Sequence, residues 1–180
     1  IRTQKNHMDA LQLVNIITRK GKNVELHCVG AVQDEAIFRD CMSYLLKNKL
    51  TDNVLFHGNM SHEQLEIIMK NCNFNISVSK WETFGRGIYE GMTFGLPTII
   101  LNKIKCVIQA DNLGIFPYVA NSLEEMANTI MDLFSDEQKY ERASKKGKDL
   151  SSLLSLANTE MIIRKKYKEV FASGGLQNCK

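Results

Sequence analysis

The sequence lacks the features that define several large classes of protein. No apolar run reaches the roughly 18–20 residues that cross a bilayer, and no secretory signal peptide is visible. The 5 cysteines are scattered without a CxxC pair, which argues for reduced thiols in a cytosolic protein and against a disulfide framework or zinc site. A net charge of +3 is too weak to indicate nucleic-acid binding, although it permits an anionic ligand or an acidic membrane surface.

Common metal and catalytic motifs are missing as well. The 4 histidines are dispersed, and neither an HExxH motif nor a nucleophile elbow is present, so the sequence predicts no metal site. The basic run 145–148 does not have the order of a G-x-x-x-x-G-K-[ST] phosphate loop. Together with the basic residues of 164–168, it indicates a solvated helix face or, alternatively, a patch that contacts a membrane surface.

Helical and strand-like patterns alternate along the 180 residues, which fit one domain. Such alternation is typical of βαβ units and predicts an α/β fold, with a parallel sheet that helices cover on both faces. Ligands of such sheets bind beyond the carboxyl ends of the strands. The predicted helices are 8–18, 34–50, 61–70, one from 84 or 85, 122–134, 136–150 and 157–171, and the predicted strands are 24–29, 54–56, 74–78, 97–101 and 116–119.

The two ends of the chain lead to separate expectations. The sequence begins at Ile1, without a methionine and in the middle of a pattern, so we expect a piece of a longer protein. Residues 1–172 are predicted to form the domain, and residues 173–180 are predicted to form a flexible tail.

Two acids, Glu82 and Glu90, stand eight positions apart around the predicted start of a helix. Eight helical steps span roughly 12 Å, which would place one acid at the helix N-terminus and the other about two turns in. Free N–H groups and the positive end of the helix dipole make such an N-terminus suitable for phosphate. A phosphate site with a hydroxyl-binding acid on either side suits a nucleotide sugar. Alternatively, both acids are solvated helix residues.

This segment resembles a known family. Residues 79–85 read S-K-W-E-T-F-G, and Y-E-G-M and G-L-P follow at 89–92 and 95–97. The pattern is similar to the donor-site signature of retaining GT-B glycosyltransferases of the family 4 type. Shorter pieces agree with it: Q-K-N at 4–6, V-E-L-H-C-V-G at 24–30 and F-H-G at 56–58. The resemblance covers about residues 1–135 and implies the Rossmann-like C-terminal half of a GT-B enzyme, without its first strand and its N-terminal acceptor domain.

The resemblance also implies roles for particular residues. Glu82 would contact hydroxyls of the transferred sugar, and Lys5 would neutralise the leaving diphosphate. Glu90 would accept hydrogen bonds from the ribose hydroxyls, for which a carboxylate is suited because it is an acceptor only. The implied donor-binding residues are Glu90, Thr83, Phe84, Gly85, Arg86, Gly58 and His57. No metal or other cofactor is expected in the donor site.

Some positions depart from the family pattern or leave alternatives open. Arg86 stands where the family usually has an aliphatic residue, and it either contacts phosphate or points to solvent or the other domain. His57 either belongs to the nucleotide loop or is a surface histidine, while Gly58 permits the turn that lets the base approach. Trp81 either fills a gap or stacks on a ligand. Gly91 replaces an alanine and is expected to matter little.

The resemblance therefore implies the donor domain of a cytoplasmic retaining glycosyltransferase of polysaccharide biosynthesis, which is either free in the cytoplasm or at the inner face of the membrane. Its substrates would be a UDP- or GDP-linked sugar and a saccharide, lipid-linked or protein acceptor. The fragment alone is expected to be inactive. The alternatives are a non-catalytic GT-B-like partner subunit, a nucleotide-sugar 2-epimerase and a phosphorylase of the same shape.

Overall fold

The computed structural model describes residues 1–83, 85–101 and 118–153. Helices and strands alternate as predicted, and most boundaries agree within two residues. The helices are α1 His7–Arg19, α2 Glu35–Asn48, α3 His62–Asn71, α4 Arg86–Thr93, α5 Leu123–Ser135 and α6 Glu137–Leu153. The strands are β1 Leu26–Val29, β2 Val54–Gly58, β3 Asn75–Ser77, β4 Thr98–Leu101 and β5 Tyr118–Ala120. The predicted helix 157–171 and tail 173–180 lie outside the described residues.

Among the described residues, the strands form two parallel sheets, where the sequence predicted one. β1 pairs with β2 in the first sheet, with Leu26 opposite Val54. The second sheet has the order β3-β4-β5 and pairs Ile76 with Ile99. Every strand pair is parallel, as the alternation of helices and strands requires.

Helix α1 holds the two sheets together because it is apolar on two sides. Leu13 and Ile17 pack in the core of the three-stranded sheet, along with α5. Leu11 and Val14 instead pack in a second core, against α2 and the two-stranded sheet. Leu11 and Leu13 are almost fully buried, so displacing α1 would expose both cores at once.

Strand β4 lies at the centre of the larger sheet, and all four of its residues are buried. Ile99 and Leu101 face the core formed with α1 and α5. Ile100 faces the opposite side, where it packs with Ile88 and Met92 of α4 and with α6. This strand shows why the predicted arrangement, a sheet covered by helices on both faces, is correct for this part of the chain.

Gly91 has a structural role that the sequence analysis missed. The Asn75 side chain donates hydrogen bonds to the carbonyl oxygens of Gly87 and Ile88, at 3.0 and 3.1 Å, and so holds β3 against α4. A Cβ atom at Gly91 would lie only 2.2 Å from Asn75 Nδ2. The expectation that Gly91 matters little is therefore wrong, because the asparagine amide occupies the space that an alanine side chain would need.

A cleft of about 1030 Å³ separates the two sheets. Strands β1 and β3 both line it, while helices α1 and α3 contribute side chains from the two sides. Its lining is largely apolar in the middle and includes Ala10, Leu13, Leu26, Leu65, Ile68 and Ile76. At the carboxyl ends of the strands, Lys5, Glu82 and Glu90 also line it.

Candidate functional site

The first residues of the chain cross the carboxyl ends of β1 and β3. The Ile1 amino group donates to the Ala31 carbonyl, and the Gln33 N–H donates to the Ile1 carbonyl at 2.9 Å. On the other side, the Lys80 N–H donates to the Gln4 carbonyl at 2.8 Å. The segment thus bridges the loops after both strands, which is the edge where the sequence analysis expected a ligand.

Lys5 and Glu82, the two residues predicted to be catalytic, lie in contact in the structure. Lys5 ends a 3-10 turn, Thr3–Lys5, and its Nζ lies 2.5 Å from Glu82 Oε1. The Glu82 side chain is only 8% exposed, whereas that of Lys5 is 39% exposed. The carboxylate is therefore held inside the site, and the ammonium group remains accessible to an incoming anion.

Three residues that support this pair were not predicted to have a role in the site. Ser79 Oγ donates to Glu82 Oε1 at 2.7 Å. Gln4 Nε2 donates to the Trp81 carbonyl at 2.8 Å and lies 3.5 Å from Glu82 Oε2. Asn6 adopts the left-handed conformation that asparagine tolerates, and its amide donates to the Val78 carbonyl. Ser79, Gln4 and Asn6 all belong to the quoted motifs, but the motifs alone do not reveal their contacts.

Helix α4 begins at Arg86, so Glu82 lies in the loop before it and the estimate of eight helical steps between the acids does not apply. Gly85 is the N-cap residue, with a φ of 76° that favours glycine. Because glycine has no side chain, it gives the helix no side-chain cap, so no described side chain at this N-cap competes with an acceptor for the first N–H groups of α4. Phe84 lies outside the described residues.

Glu90 lies in the second turn of α4, with its side chain 36% exposed. Arg86 is 84% exposed, and its Nε lies 3.7 Å from Glu90 Oε1. The guanidinium therefore points along the helix surface towards the acid. Thr83 and Trp81 are also exposed beside the buried Glu82 side chain.

Gly58 and His57 belong to β2, on the far side of β1 from the Lys5–Glu82 pair. Gly58 has a φ of 68°, and its carbonyl accepts from the Gly30 N–H at 2.7 Å. His57 Nε2 lies 2.9 Å from His27 Nδ1, and the two rings stack in parallel. The structure thus shows His57 as part of a histidine pair across β1 and β2.

His7 begins α1 beside Lys5 and leads to a prediction about pH. Burial, reinforced by the Ile1 amino group and Lys5, lowers the pKa of His7 from 6.5 to about 4. Between these values the unfolded chain binds more protons than the folded chain, so stability should fall as the pH falls from 6.5 to 4. We expect His7→Gln to reduce the slope of stability against pH when denaturant midpoints are measured across that range.

The matched control for His7 is His62→Gln, because His62 is also the first residue of a helix but is exposed. This variant should show the same slope of stability against pH as the wild-type protein. Equal slopes for His7→Gln and the unchanged protein would contradict the prediction.

Comparison with known proteins bears on this geometry. The family model described as glycosyl transferases group 1 matches residues 1–150. The chain belongs to this family. The match includes Lys5, Glu82, Gly85 and Glu90, the residues that line or flank the site.

A curated relative is 26% identical in an alignment of 171 residues that covers 87% of this chain and 33% of the relative. It is the GDP-Man:Man(3)GlcNAc(2)-PP-Dol alpha-1,2-mannosyltransferase of Dictyostelium discoideum. An uncharacterized glycosyltransferase of Methanocaldococcus jannaschii is 24% identical over 77% of this chain and 40% of its own length. The chain thus spans well under half the length of these relatives.

Solved structures share the fold. Anabaena HepE, in complex with UDP and glucose, superposes with a TM-score of 0.76 over 93% of this chain and 46% of its own, at 18% identity. The C-terminal domain of a glycosyl transferase group 1 family protein from Francisella tularensis superposes with a TM-score of 0.71 over 84% of this chain and 80% of its own, at 16% identity. At such identities the likeness shows the fold alone, and that fold is the GT-B glycosyltransferase half that the resemblance implied.

Within residues 1–83, 85–101 and 118–153, no group of three or more histidine, cysteine, aspartate or glutamate side chains is arranged to hold a metal ion. In the same part of the chain, no helix has the length and apolar character needed to cross a membrane.

Proposed function

We propose that this chain is the donor-binding domain of a retaining glycosyltransferase, which transfers a sugar from a UDP- or GDP-linked donor to a saccharide, lipid-linked or protein acceptor. One observation carries the proposal: the Lys5–Glu82 pair lies at the carboxyl ends of β1 and β3, close in sequence to an α4 N-terminus without a side-chain cap. A cation, a carboxylate and free N–H groups together suit a sugar diphosphate. The substrate class is supported by the Dictyostelium relative, which is named for GDP-Man, and by the HepE structure, which is in complex with UDP and glucose.

In this proposal Lys5 binds the diphosphate and offsets the charge that develops on it as the sugar departs. A fixed positive charge near a leaving group is among the strongest contributions that a protein makes to such a step. The N–H groups around Phe84, Gly85 and Arg86 bind the same phosphates, aided by the dipole of α4. No metal is required in the donor site, because these groups supply the positive potential.

The two acids then bind the two sugars of the donor. Glu82 accepts from hydroxyls of the transferred sugar, and Glu90 accepts from the ribose. Thr83, Gly58 and His57 complete the proposed donor contacts around the phosphates and the base. The contact between Glu90 and Arg86 is long and exposed, so it is weak. Glu90 would lose this contact when it accepts hydrogen bonds from the ribose hydroxyls.

We also propose that an extended segment upstream of Ile1 fills the cleft between the sheets and joins them into one. Ile1 donates to Ala31 and accepts from Gln33, which is the hydrogen-bond pattern of a parallel strand pair and supports a strand that runs beside β1. The apolar lining of the cleft fits a central strand that is buried on both faces. The acceptor domain of the full-length enzyme would precede this strand, and the enzyme would work in the cytoplasm, at times against the membrane surface, in polysaccharide biosynthesis.

Calorimetric titration of the full-length protein tests the proposed function. We expect binding of UDP-glucose, GDP-mannose or ADP-glucose, with one of the first two strongest. Glu90→Ala should weaken the preferred donor about tenfold to a hundredfold, since it removes hydrogen bonds to a charged acceptor.

The matched control is Glu66→Ala, because Glu66 also makes a helical i,i+4 ion pair, with Lys70 at 2.7 Å. It should leave donor binding unchanged. If no nucleotide sugar binds, or if Glu90→Ala and Glu66→Ala behave alike, the proposed donor site is wrong.

A further inference from the structure

The two oxygens of the Glu82 carboxylate have unequal surroundings. Oε1 lies 2.5 Å from Lys5 Nζ and accepts from Ser79 Oγ at 2.7 Å. Among the described residues, Oε2 has one contact, with Gln4 Nε2 at 3.5 Å. This N···O distance is longer than the roughly 2.7–3.2 Å of an ordinary N–H···O hydrogen bond. One oxygen is therefore held by two strong donors, while the other keeps most of its capacity to accept hydrogen bonds.

Ser79 is well suited to hold the carboxylate in this orientation. It is only 3% exposed, and its single hydroxyl proton is donated in a hydrogen bond to Glu82. The next donor along, Ser77 Oγ, lies 3.4 Å from Ser79 Oγ and contributes a weaker contact. The loop itself is pinned through Gln4, which bonds to Lys80 and Trp81. Ser79 and Glu82 thus keep a fixed relation.

Lys5 alone would not keep Glu82 in place once a donor is bound. Lys5 faces two anions under the proposed function, the diphosphate and Glu82, and its side chain is exposed enough to move towards the phosphates. A shift of the ammonium group would loosen its bond to Oε1. Ser79 is neutral and buried, so its bond to Oε1 is independent of the phosphate charge.

We propose that Ser79 is a positioning residue for Glu82: it holds Oε1 so that Oε2 is the oxygen presented to a hydroxyl of the transferred sugar. This inference rests on the proposed function, because it takes Glu82 as the residue that binds the sugar. The proposal assigns different roles to the two residues that bond to Oε1. Lys5 responds to the diphosphate, and Ser79 sets the direction of the carboxylate.

The test compares a nucleotide sugar with its nucleoside diphosphate. Kd values for UDP and UDP-glucose, and for GDP and GDP-mannose, are measured by calorimetry on the full-length protein. The ratio of the two Kd values isolates the sugar contribution. We expect Ser79→Ala to reduce that contribution about tenfold, the effect of losing one hydrogen bond to a charged group, and to change nucleoside diphosphate binding less than about twofold.

Two further variants separate positioning from a general structural effect. Ser79→Thr retains the hydroxyl and should restore most of the sugar contribution. Ser43→Ala makes the same chemical change in α2, where the Ser43 hydroxyl donates to the Arg39 carbonyl of its own helix, and should leave both Kd values unchanged. Thermal unfolding of each variant confirms that the fold is intact.

The outcomes distinguish this inference from the proposed function. If the unchanged protein binds neither a nucleotide nor a nucleotide sugar, the proposed function fails and the inference fails with it. If the unchanged protein gains affinity from the sugar but Ser79→Ala keeps that gain, only the inference is overturned. An equal loss for diphosphate and nucleotide sugar in Ser79→Ala also overturns it, because that pattern indicates a disturbed loop.

Discussion

Replacing Lys5 by methionine is expected to lower the rate of sugar transfer by the full-length enzyme at least about a hundredfold. Loss of one donor that stabilises developing negative charge commonly has an effect of about that size. Methionine keeps the apolar stem of lysine and removes only the charge, so the change tests the ammonium group itself. Glu82 would remain bonded to Ser79 Oγ, which limits the accompanying loss of stability.

The control for this change is Lys20→Met. Lys20 follows the other end of α1 and makes an ion pair with Glu124 at 2.5 Å, far along the helix from Lys5. Exposed pairs contribute about 0–1 kcal/mol, so this variant should fold and act normally. The measurement is the initial rate of sugar transfer from the preferred donor, compared between Lys5→Met and Lys20→Met. Equal rates for Lys5→Met and Lys20→Met would show that Lys5 does not act on the leaving diphosphate.

The second large effect concerns stability. A chain that carries its own residues upstream of Ile1 is expected to unfold at a temperature about 10 °C higher than the chain that starts there. Each apolar side chain buried in the cleft contributes about 1.5–3 kcal/mol, against about 1–2 kcal/mol for ordering its backbone. Five or so such residues, together with hydrogen bonds to β1 and β3, give a net gain of several kcal/mol on these magnitudes.

Length alone must be excluded as the cause of that gain. A chain extended by the same number of glycine and serine residues has no apolar side chains for the cleft, so its midpoint should stay near that of the chain that starts at Ile1. Denaturant and thermal unfolding of the three chains would be compared. Equal midpoints for the native and the glycine–serine extensions would refute the proposed strand.

Local patterns were sufficient to predict most of the secondary structure. Apolar residues at helical spacing predicted α1, and the capping box from Ser61 to Gln64 is present at the start of α3. Such patterns depend on residues within a few positions of one another, so they can be recognised without knowledge of the fold. The start of α4, predicted at residue 84 or 85, lies at Arg86, so it also agrees within two residues.

The site was predicted only in part, and through resemblance. Spacing cannot bring Lys5 to Glu82, because 77 positions separate them. The motifs that the chain shares with its family named both residues, and only the structure shows that they are in contact. Neither spacing nor motif assigned roles to Ser79 and Gln4, whose bonds to the loop depend on how two distant segments meet.

By itself, the sequence determined the order of helices and strands, the parallel direction of the strands and the identity of the acids and the lysine around the site. These follow from local periodicity and from short motifs. The tertiary structure alone decided that the described strands form two sheets with a cleft between them, that Asn75 fills the space beside Gly91, and which oxygen of Glu82 is held by Lys5 and Ser79. The reason is physical: hydrogen bonds and steric contacts act over a few ångströms in space, and the residues that make them are far apart along the chain.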